Sequence, residues 1–440
     1  MSDLGAPQFG SSTGSDPNGS DEVRRLRILV VGDVFPWPAR DGYRLRFSSV
    51  LNALSGVGDI DLFVAAWEGE DDVGQPPNII GRCEVVVAPL THSSLGRYIR
   101  TGSSRLPSRI LWRSWVNSQR EIRQFVRKPY DLVWYCHGDA FAALGDPSFG
   151  PAVVDLDNLE SRVIRAPRIA FIKMSTRNEG LARVLRMNIG ALATWVIIWR
   201  DRLLWSRLQR AISKEVASTV VCSEVDRKRL STKRVTIIPN SYDDPGPPPG
   251  PLVIAPILLM VALFTYQPNL DGARWLAQEV LPELRRLVPN VTVRLVGRYD
   301  ERLPAVATVP GVEIVGEVDT ISVELRKSRG VVVPILSGGG TRVKILEALA
   351  YGVPVVSTGV GCEGLGVITD HHAMIRNDPL EFAAACAQIL ASDALCESLR
   401  SNGRSLYQDH YSTEIVAAQV RELALSVARH TKPGPRNDVG

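Results

Sequence analysis

The chain has 440 residues, 45% hydrophobic and 22% charged, enough for two packed α/β cores of ordinary size. Its 51 Lys and Arg against 47 acids leave a formal charge of +4, too small an excess to build a nucleic-acid interface by itself. Neither an RNA-binding signature nor zinc-finger cysteine spacing is present, and the longest apolar run, Leu252 to Phe264, is too short for a membrane span.

Residues 1–22 are rich in Ser, Gly, Asp, Asn and Pro and read as a disordered tail, since no basic region precedes an apolar one as a secretion signal requires. RLRILVVGDVF, Arg25 to Phe35, is an opening strand, followed by a loop through Pro36, Pro38 and Gly42 and a helix over 44–54. DIDLFVAAW, CEVVVAPL, YDLVWYCHG, PAVVDLD, STVVCSE and RVTIIPN are further short apolar runs spaced by loops and helical stretches. This alternation predicts a mostly parallel sheet flanked by helices over residues 23–241.

Two Asp-x-Asp strings, Asp59 with Asp61 and Asp155 with Asp157, have the spacing of a metal pair, but neither is joined by a third ligand, so no metal is expected. Between Arg162 and Lys214 twelve basic residues face two acids, with Trp195, Trp199 and Trp205 interleaved. This pattern is either a solubilised core helix or a peripheral contact with an anionic membrane surface; core helices of this kind are the commoner. Six cysteines without a CxxC pair, several in apolar runs, read as buried reduced thiols of a cytoplasmic protein.

Residues 242–251, YDDPGPPPGP, form a linker. Beyond it the rhythm repeats over 252–412: PILLMVALF, a helix over 271–287, VTVRLVG, VEIVGEV and a helix over 321–326. Helices over 379–390 and 394–407 close this unit, an amphipathic helix occupies 413–430, and 431–440 form a flexible tail.

The densest signal is VVVPILSGGGTRVKILEALAYGVPVVST, residues 331–358. Val331 to Val333 suit a strand buried on both faces, and Gly338, Gly339 and Gly340 strip side chains from the loop entering the next helix. Backbone amides there can approach an anion, and the helix dipole favours one. Arg342 and Lys344 sit in the first turn, where the dipole disfavours cations unless an anion is bound. By composition alone the loop is equally a tight packing turn. It is neither a Walker A loop nor a GxGxxG fingerprint.

The segment resembles the donor-binding core of retaining GT-B glycosyltransferases of family 4, in the branch carrying GGGTR, a Lys, LEA and GxPVVST, and the resemblance extends from about Leu26 to Tyr411. It implies an α/β GT-B fold, two Rossmann-like domains whose parallel sheets face an interdomain cleft, with the first domain on the acceptor side and the second binding a nucleotide-sugar donor. It also implies that the 413–430 helix returns to the first domain. Glu347 matches the glutamate that holds the ribose, while Gly339 stands where a sugar-reading glutamate would be. His137, ending LVWYCHG, matches a first-domain histidine facing the donor sugar. Gly42 and Arg46 belong to the loop near phosphate and acceptor, with Asp41 replacing a glycine. LFTYQPNLDGARW lacks the Arg and Lys that usually hold the diphosphate, so Arg342 and Lys344 are the replacements, beside Gly338, Gly340 and Thr341. Gly316 and Val318 lie in the base-contacting loop, and Glu363 in CEGLG is either a donor contact or a turn carboxylate. The implied partners are a nucleotide-sugar donor and a small-molecule, lipid-linked or glycan acceptor, without cofactor, metal or nucleic acid. A catalytically inactive nucleotide-sugar-binding subunit is the alternative.

Overall fold

The computed structural model describes residues 24–39, 41–68, 74–91, 104–157, 159–160, 181–246, 254–306, 308–338 and 343–430, with only the backbone described for 181–195. Seven strands form the first sheet: β1 (Leu26–Gly32), β2 (Gly58–Trp67), β3 (Ile80–Ala88), β4 (Leu132–Cys136), β5 (Ala152–Asp155), β6 (Ser218–Val221) and β7 (Val235–Ile237). They run parallel in the order β3-β2-β1-β4-β5-β6-β7. In β1, Ile28 and Val30 join the core on one face and Leu29 and Val31 that on the other, which is why the strand reads as an unbroken apolar run. Helices α1 (Gly42–Ser55), α2 (Ser108–Leu111), α3 (Val116–Phe125), α4 (Gly138–Leu144), α5 (Leu181–Glu215) and α6 (Glu224–Leu230) belong to this half.

The second sheet holds β8 (Ile257–Val261), β9 (Thr292–Val296), β10 (Val312–Gly316), β11 (Gly330–Val333), β12 (Val355–Ser357) and β13 (Met374–Ile375), parallel in the order β10-β9-β8-β11-β12-β13. Helices α7 (Gln267–Trp275) and α8 (Leu281–Leu287) are joined by a π-helical stretch, Leu276–Val280. They are followed by α9 (Ile321–Lys327), α10 (Val343–Ala350), α11 (Pro379–Ala391), α12 (Asp393–His410) and α13 (Thr413–His430). The sequence places the start of α7 four residues too late, because Pro268 opens the helix rather than excluding it. The two-residue edge strand β13 carries no sequence signal long enough to find.

Local chemistry fixes the elements that matter for the site. Asp41 caps α1 by accepting from the Arg44 amide at 2.9 Å. Gly352, at φ 62°, ends α10: its N–H donates to the Leu349 carbonyl at 3.0 Å, and that of Val353 to the Ala348 carbonyl at 2.8 Å. This Schellman pairing turns the chain directly into β12.

Two crossings join the sheets side by side. The Tyr242 amide donates to the Tyr411 carbonyl at 3.1 Å, and the Thr413 amide to the Tyr242 carbonyl at 3.2 Å. Beyond the second crossing, α13 buries Val416, Val420, Ala424 and Val427 in the first sheet's core beside Val50, Leu51 and Leu54 of α1. All six cysteines are free thiols, and among the described residues no single helix is long and apolar enough to cross a membrane.

Candidate active site between the two switch points

In an open parallel sheet, a crevice forms where the strand order reverses, beyond the carboxyl ends of the two strands involved. The first sheet reverses between β1 and β4, the second between β8 and β11. Asp33 directly follows β1 and His137 directly follows β4, whereas Gly338, the described first residue of the glycine run, follows β11. The two crevices face each other: a methyl group on Gly42, the first residue of α1, would stand 3.7 Å from Val343 Cγ2, the first residue of α10. A second contact closes the cleft further on, where a methyl on Gly364 would stand 3.0 Å from Ser223 Cβ.

His137 occupies an unusual backbone conformation, φ 81° and ψ 147°, which side-chain-bearing residues rarely adopt. Such strain costs about 1–3 kcal/mol and persists where the surroundings over-determine it. Here the His137 amide donates to the Asp155 carbonyl at 2.9 Å, and its ring stacks on Tyr43 with centroids 3.8 Å apart and 12° between planes. Nδ1 lies 3.3 Å from Asp33 Oδ1, an ion-pair contact without hydrogen-bond angles. Asp33 is 2% exposed and accepts from the Tyr43 hydroxyl at 2.9 Å.

Burial alone would lower the His137 pKa, but the Asp33 carboxylate outweighs it and raises the imidazole to about 9. The same pairing holds the Asp33 carboxyl below its ordinary range despite burial, helped by Arg109 and Arg113. Arg109 in turn pairs with Asp139, reaches Glu160 at 3.0 Å and lies over the Trp205 ring. A raised imidazole pKa stabilises the fold fully below about pH 6.5, and that contribution fades as pH climbs through about 9. The wild type should therefore lose about 1–3 kcal/mol relative to His137→Ala between pH 6 and pH 10, read as the difference in urea midpoints. Parallel pH dependences of the two proteins would contradict the ion pair.

On the second-domain wall, Lys344 Nζ donates to Asn269 Oδ1 at 3.0 Å, while Asn269 Nδ2 donates to the Leu263 carbonyl at 2.8 Å. This links α10 to the helix after β8, across the switch point. Glu347 lies one turn along α10 and accepts from the Tyr242 hydroxyl at 2.7 Å. Burial pushes the Glu347 carboxyl up, while Tyr242 and Lys344 oppose it. Gly338 adopts φ 124°, open only to glycine. Gly339, Gly340, Thr341 and Arg342 lie outside the described residues. Gly316 ends β10 at φ 85°, with its carbonyl accepting from the Gly297 amide at 2.7 Å. Half-buried Val318 packs at the edge of the β11 core. Glu363 is half-buried in the turn after β12, next to Gly364 at the second interdomain contact.

One assignment is corrected. Arg46 is 6% exposed, and its guanidinium contacts both Asp155 oxygens at 2.9–3.1 Å, donates to Asn240 Oδ1 at 2.8 Å and reaches the Ile238 carbonyl at 3.1 Å. It ties α1 to the ends of β5 and β7 and is committed away from any anion in the cleft. Asp155 is correspondingly an arginine partner. Asp61 is likewise held by Arg82 and the Tyr130 hydroxyl.

The basic segment splits along its length. Trp205 and Ile212 are buried, and Asp201 accepts from the Ser108 amide, so this part of α5 is core. Val196, Trp199 and Leu203 are exposed on its outer side. Residues 161–180 lie outside the described residues.

Sequence reasoning missed Asp33, Tyr43, Arg109, Glu160, Tyr242 and Asn269. Asp33 alone carried a signal, as a carboxylate directly after a buried strand.

Residues 255–392 match the family model described as glycosyl transferases group 1. An uncharacterized 44.6 kDa protein in the cps region of Klebsiella pneumoniae is 24% identical over 410 residues, covering 90% of this chain and 98% of that protein. The fold resembles HepE of Anabaena in complex with UDP and glucose, with a TM-score of 0.60 at 13% identity over 91% of this chain and 100% of that one. It also resembles sucrose-phosphate synthase from Thermosynechococcus elongatus, with a TM-score of 0.62 at 20% identity over 92% and 100%. The crystal structure of WaaG, a glycosyltransferase involved in lipopolysaccharide biosynthesis, gives 0.53 at 14% identity over 93% and 100%. The architecture is GT-B, and the resemblance to group 1 glycosyl transferases lies in residues 255–392.

Proposed function

We propose that the protein transfers a sugar from a nucleoside diphosphate donor to an acceptor with retention of anomeric configuration. The observation that carries this is the meeting of two switch points across one cleft. A strained, carboxylate-paired histidine stands on one wall, and Gly338 with Lys344 and Glu347 stands on the other. A mononucleotide fits the second crevice, since the loop and the start of α10 suit a diphosphate and Glu347 suits ribose hydroxyls. Negative charge develops on the leaving phosphate as the anomeric bond lengthens. Lys344, Arg342 and the loop amides stabilise it electrostatically, while His137 orients the sugar. These cations and amides serve where other transferases use a metal, so none is invoked.

The UDP bound in HepE supports a uridine nucleotide as donor, and the relative from a cps region and WaaG's part in lipopolysaccharide biosynthesis support a polysaccharide or glycolipid acceptor. Exposed Val196, Trp199 and Leu203 on a helix that also carries Arg202 and Arg207 support a peripheral contact at the cytoplasmic face of an anionic membrane.

Donor turnover is measurable without knowing the acceptor, because slow hydrolysis releases the nucleoside diphosphate. Release from one sugar nucleotide of a panel is expected, and Glu347→Ala should weaken nucleoside diphosphate binding about tenfold or more in calorimetry. Tight binding without turnover of any donor would favour the inactive-subunit alternative, which Gly339 at the sugar-reading position keeps open. Unchanged affinity in Glu347→Ala would remove the ribose assignment.

A further inference from the structure

We infer that Asp33 is a positioning residue for sugar transfer: its carboxylate, anchored by the Tyr43 hydroxyl, holds a proton on His137 Nδ1 and leaves Nε2–H as a permanent hydrogen-bond donor to the sugar nucleotide. The inference rests on the transferase reading above and adds to it a direction for the histidine's hydrogen bond.

The geometry restrains every degree of freedom of the ring. The backbone at φ 81° fixes where the side chain leaves the chain, and the Tyr43 stack at 3.8 Å fixes the ring plane. Asp33, 3.3 Å from Nδ1, fixes which edge faces inward. The partner on one imidazole nitrogen decides what the other can do. The Asp33 carboxylate 3.3 Å away favours positive charge on the ring, and so a proton on both nitrogens, even without hydrogen-bond angles to Nδ1. Among the described residues, no group takes Nε2. Asp33 itself cannot swing away, because Tyr43, whose hydroxyl also reaches the Cys136 carbonyl at 3.3 Å, clamps it from α1.

The charged groups around the ring come from five elements. Asp33 follows β1, Tyr43 lies on α1, Arg109 on α2, Asp139 on α4 beside Arg109, and Glu160 follows β5. Arg109 opposes a second proton on the ring, and Glu160 and Asp33 favour it. Asp33 is the one within contact distance, and its charge outweighs burial and Arg109, raising the imidazole pKa to about 9 and favouring the doubly protonated ring at neutral pH. A ring in that state accepts nothing. It can read a hydroxyl or phosphate oxygen of the ligand but cannot serve as a base for the acceptor.

The test combines a ring titration with kinetics in the full chain. With six histidines, the His137 imidazole resonance can be assigned by its loss in His137→Gln. In the wild type it should titrate near 9, and in Asp33→Asn it should fall toward the ordinary value of about 6.5. Donor hydrolysis by Asp33→Asn should then show kcat reduced about tenfold or more at pH 8 and recovering toward wild type near pH 6, with KM changed less than about threefold. Asp33→Glu, which keeps the charge, should restore part of the pH 8 rate. An unchanged ring titration, or an Asp33→Asn rate profile parallel to wild type, overturns the inference. If Asp33→Asn does not fold, Tyr43→Phe keeps the stack and removes the clamp: kcat down severalfold supports the inference, and wild-type kcat overturns it. If the wild type turns over no donor, the transferase reading fails, and with it the role in transfer, while the titration still decides whether Asp33 sets the proton on Nδ1.

Discussion

Lys344→Ala is expected to lower donor turnover about a hundredfold while leaving the melting temperature within a few degrees of wild type. The basis is position and scarcity. Its ammonium sits in the first turn of α10, held at 3.0 Å by Asn269 from the helix after β8, so it bridges the two elements that frame the second switch point. A cation at a helix N-terminus opposes the dipole, and a leaving diphosphate turns that opposition into a shared pull on negative charge. The loop after β8, Ala262 to Tyr266, supplies no cationic side chain of its own. Lys344→Arg should recover little, because the guanidinium fork cannot occupy the point-charge position that Asn269 defines. Steady-state kinetics with the preferred donor decide the matter: near wild-type kcat in Lys344→Ala would move the phosphate elsewhere.

Arg46→Met is expected to cost about 3–5 kcal/mol of stability and little specific activity in the folded fraction. Removing the guanidinium leaves the Asp155 carboxylate, 3% exposed, without its main partner and beside the buried Asp157. It also strands the Ile238 carbonyl and leaves the Asn240 amide oxygen with only the weak Cys222 thiol donor. For a domain of this size the loss corresponds to a drop in melting temperature on the order of 10 °C. Thermal unfolding followed alongside turnover at 20 °C separates the roles. Unchanged stability with lost turnover would return Arg46 to the cleft.

The contrast between these residues shows what sequence can carry. All the strands but β13 were legible because a parallel strand buried on two faces tends to be apolar at every position, as in Leu132–Cys136. Lys344 and Glu347 stand out in the sequence because they follow the glycine run within two helical turns, and the family resemblance supplies the role expected of Glu347. Arg46 was not, because its partner lies 109 residues away and a helix arginine looks the same whether solvated or buried. Asp33 and His137 become neighbours only once β1 and β4 are known to be adjacent, and strand order is not written in any local pattern. The parallel α/β layering was therefore readable from local apolar runs and the GT-B arrangement from the family resemblance, whereas half of the site depends on which strand ends the topology brings together.

Tyr242 occupies a place where covalent structure and ligand chemistry overlap. Its backbone forms one of the two parallel crossings between the domains, bonded to Tyr411 and Thr413, while its hydroxyl donates to Glu347 Oε1 at 2.7 Å. On the proposed reading, a ribose seated on Glu347 would share that carboxylate with a residue whose backbone also joins the two domains. Nucleotide binding would therefore be felt at the crossing between the domains and not only at the cleft's rim. Weakening the Tyr242–Glu347 contact would then be part of the cost of seating the nucleotide.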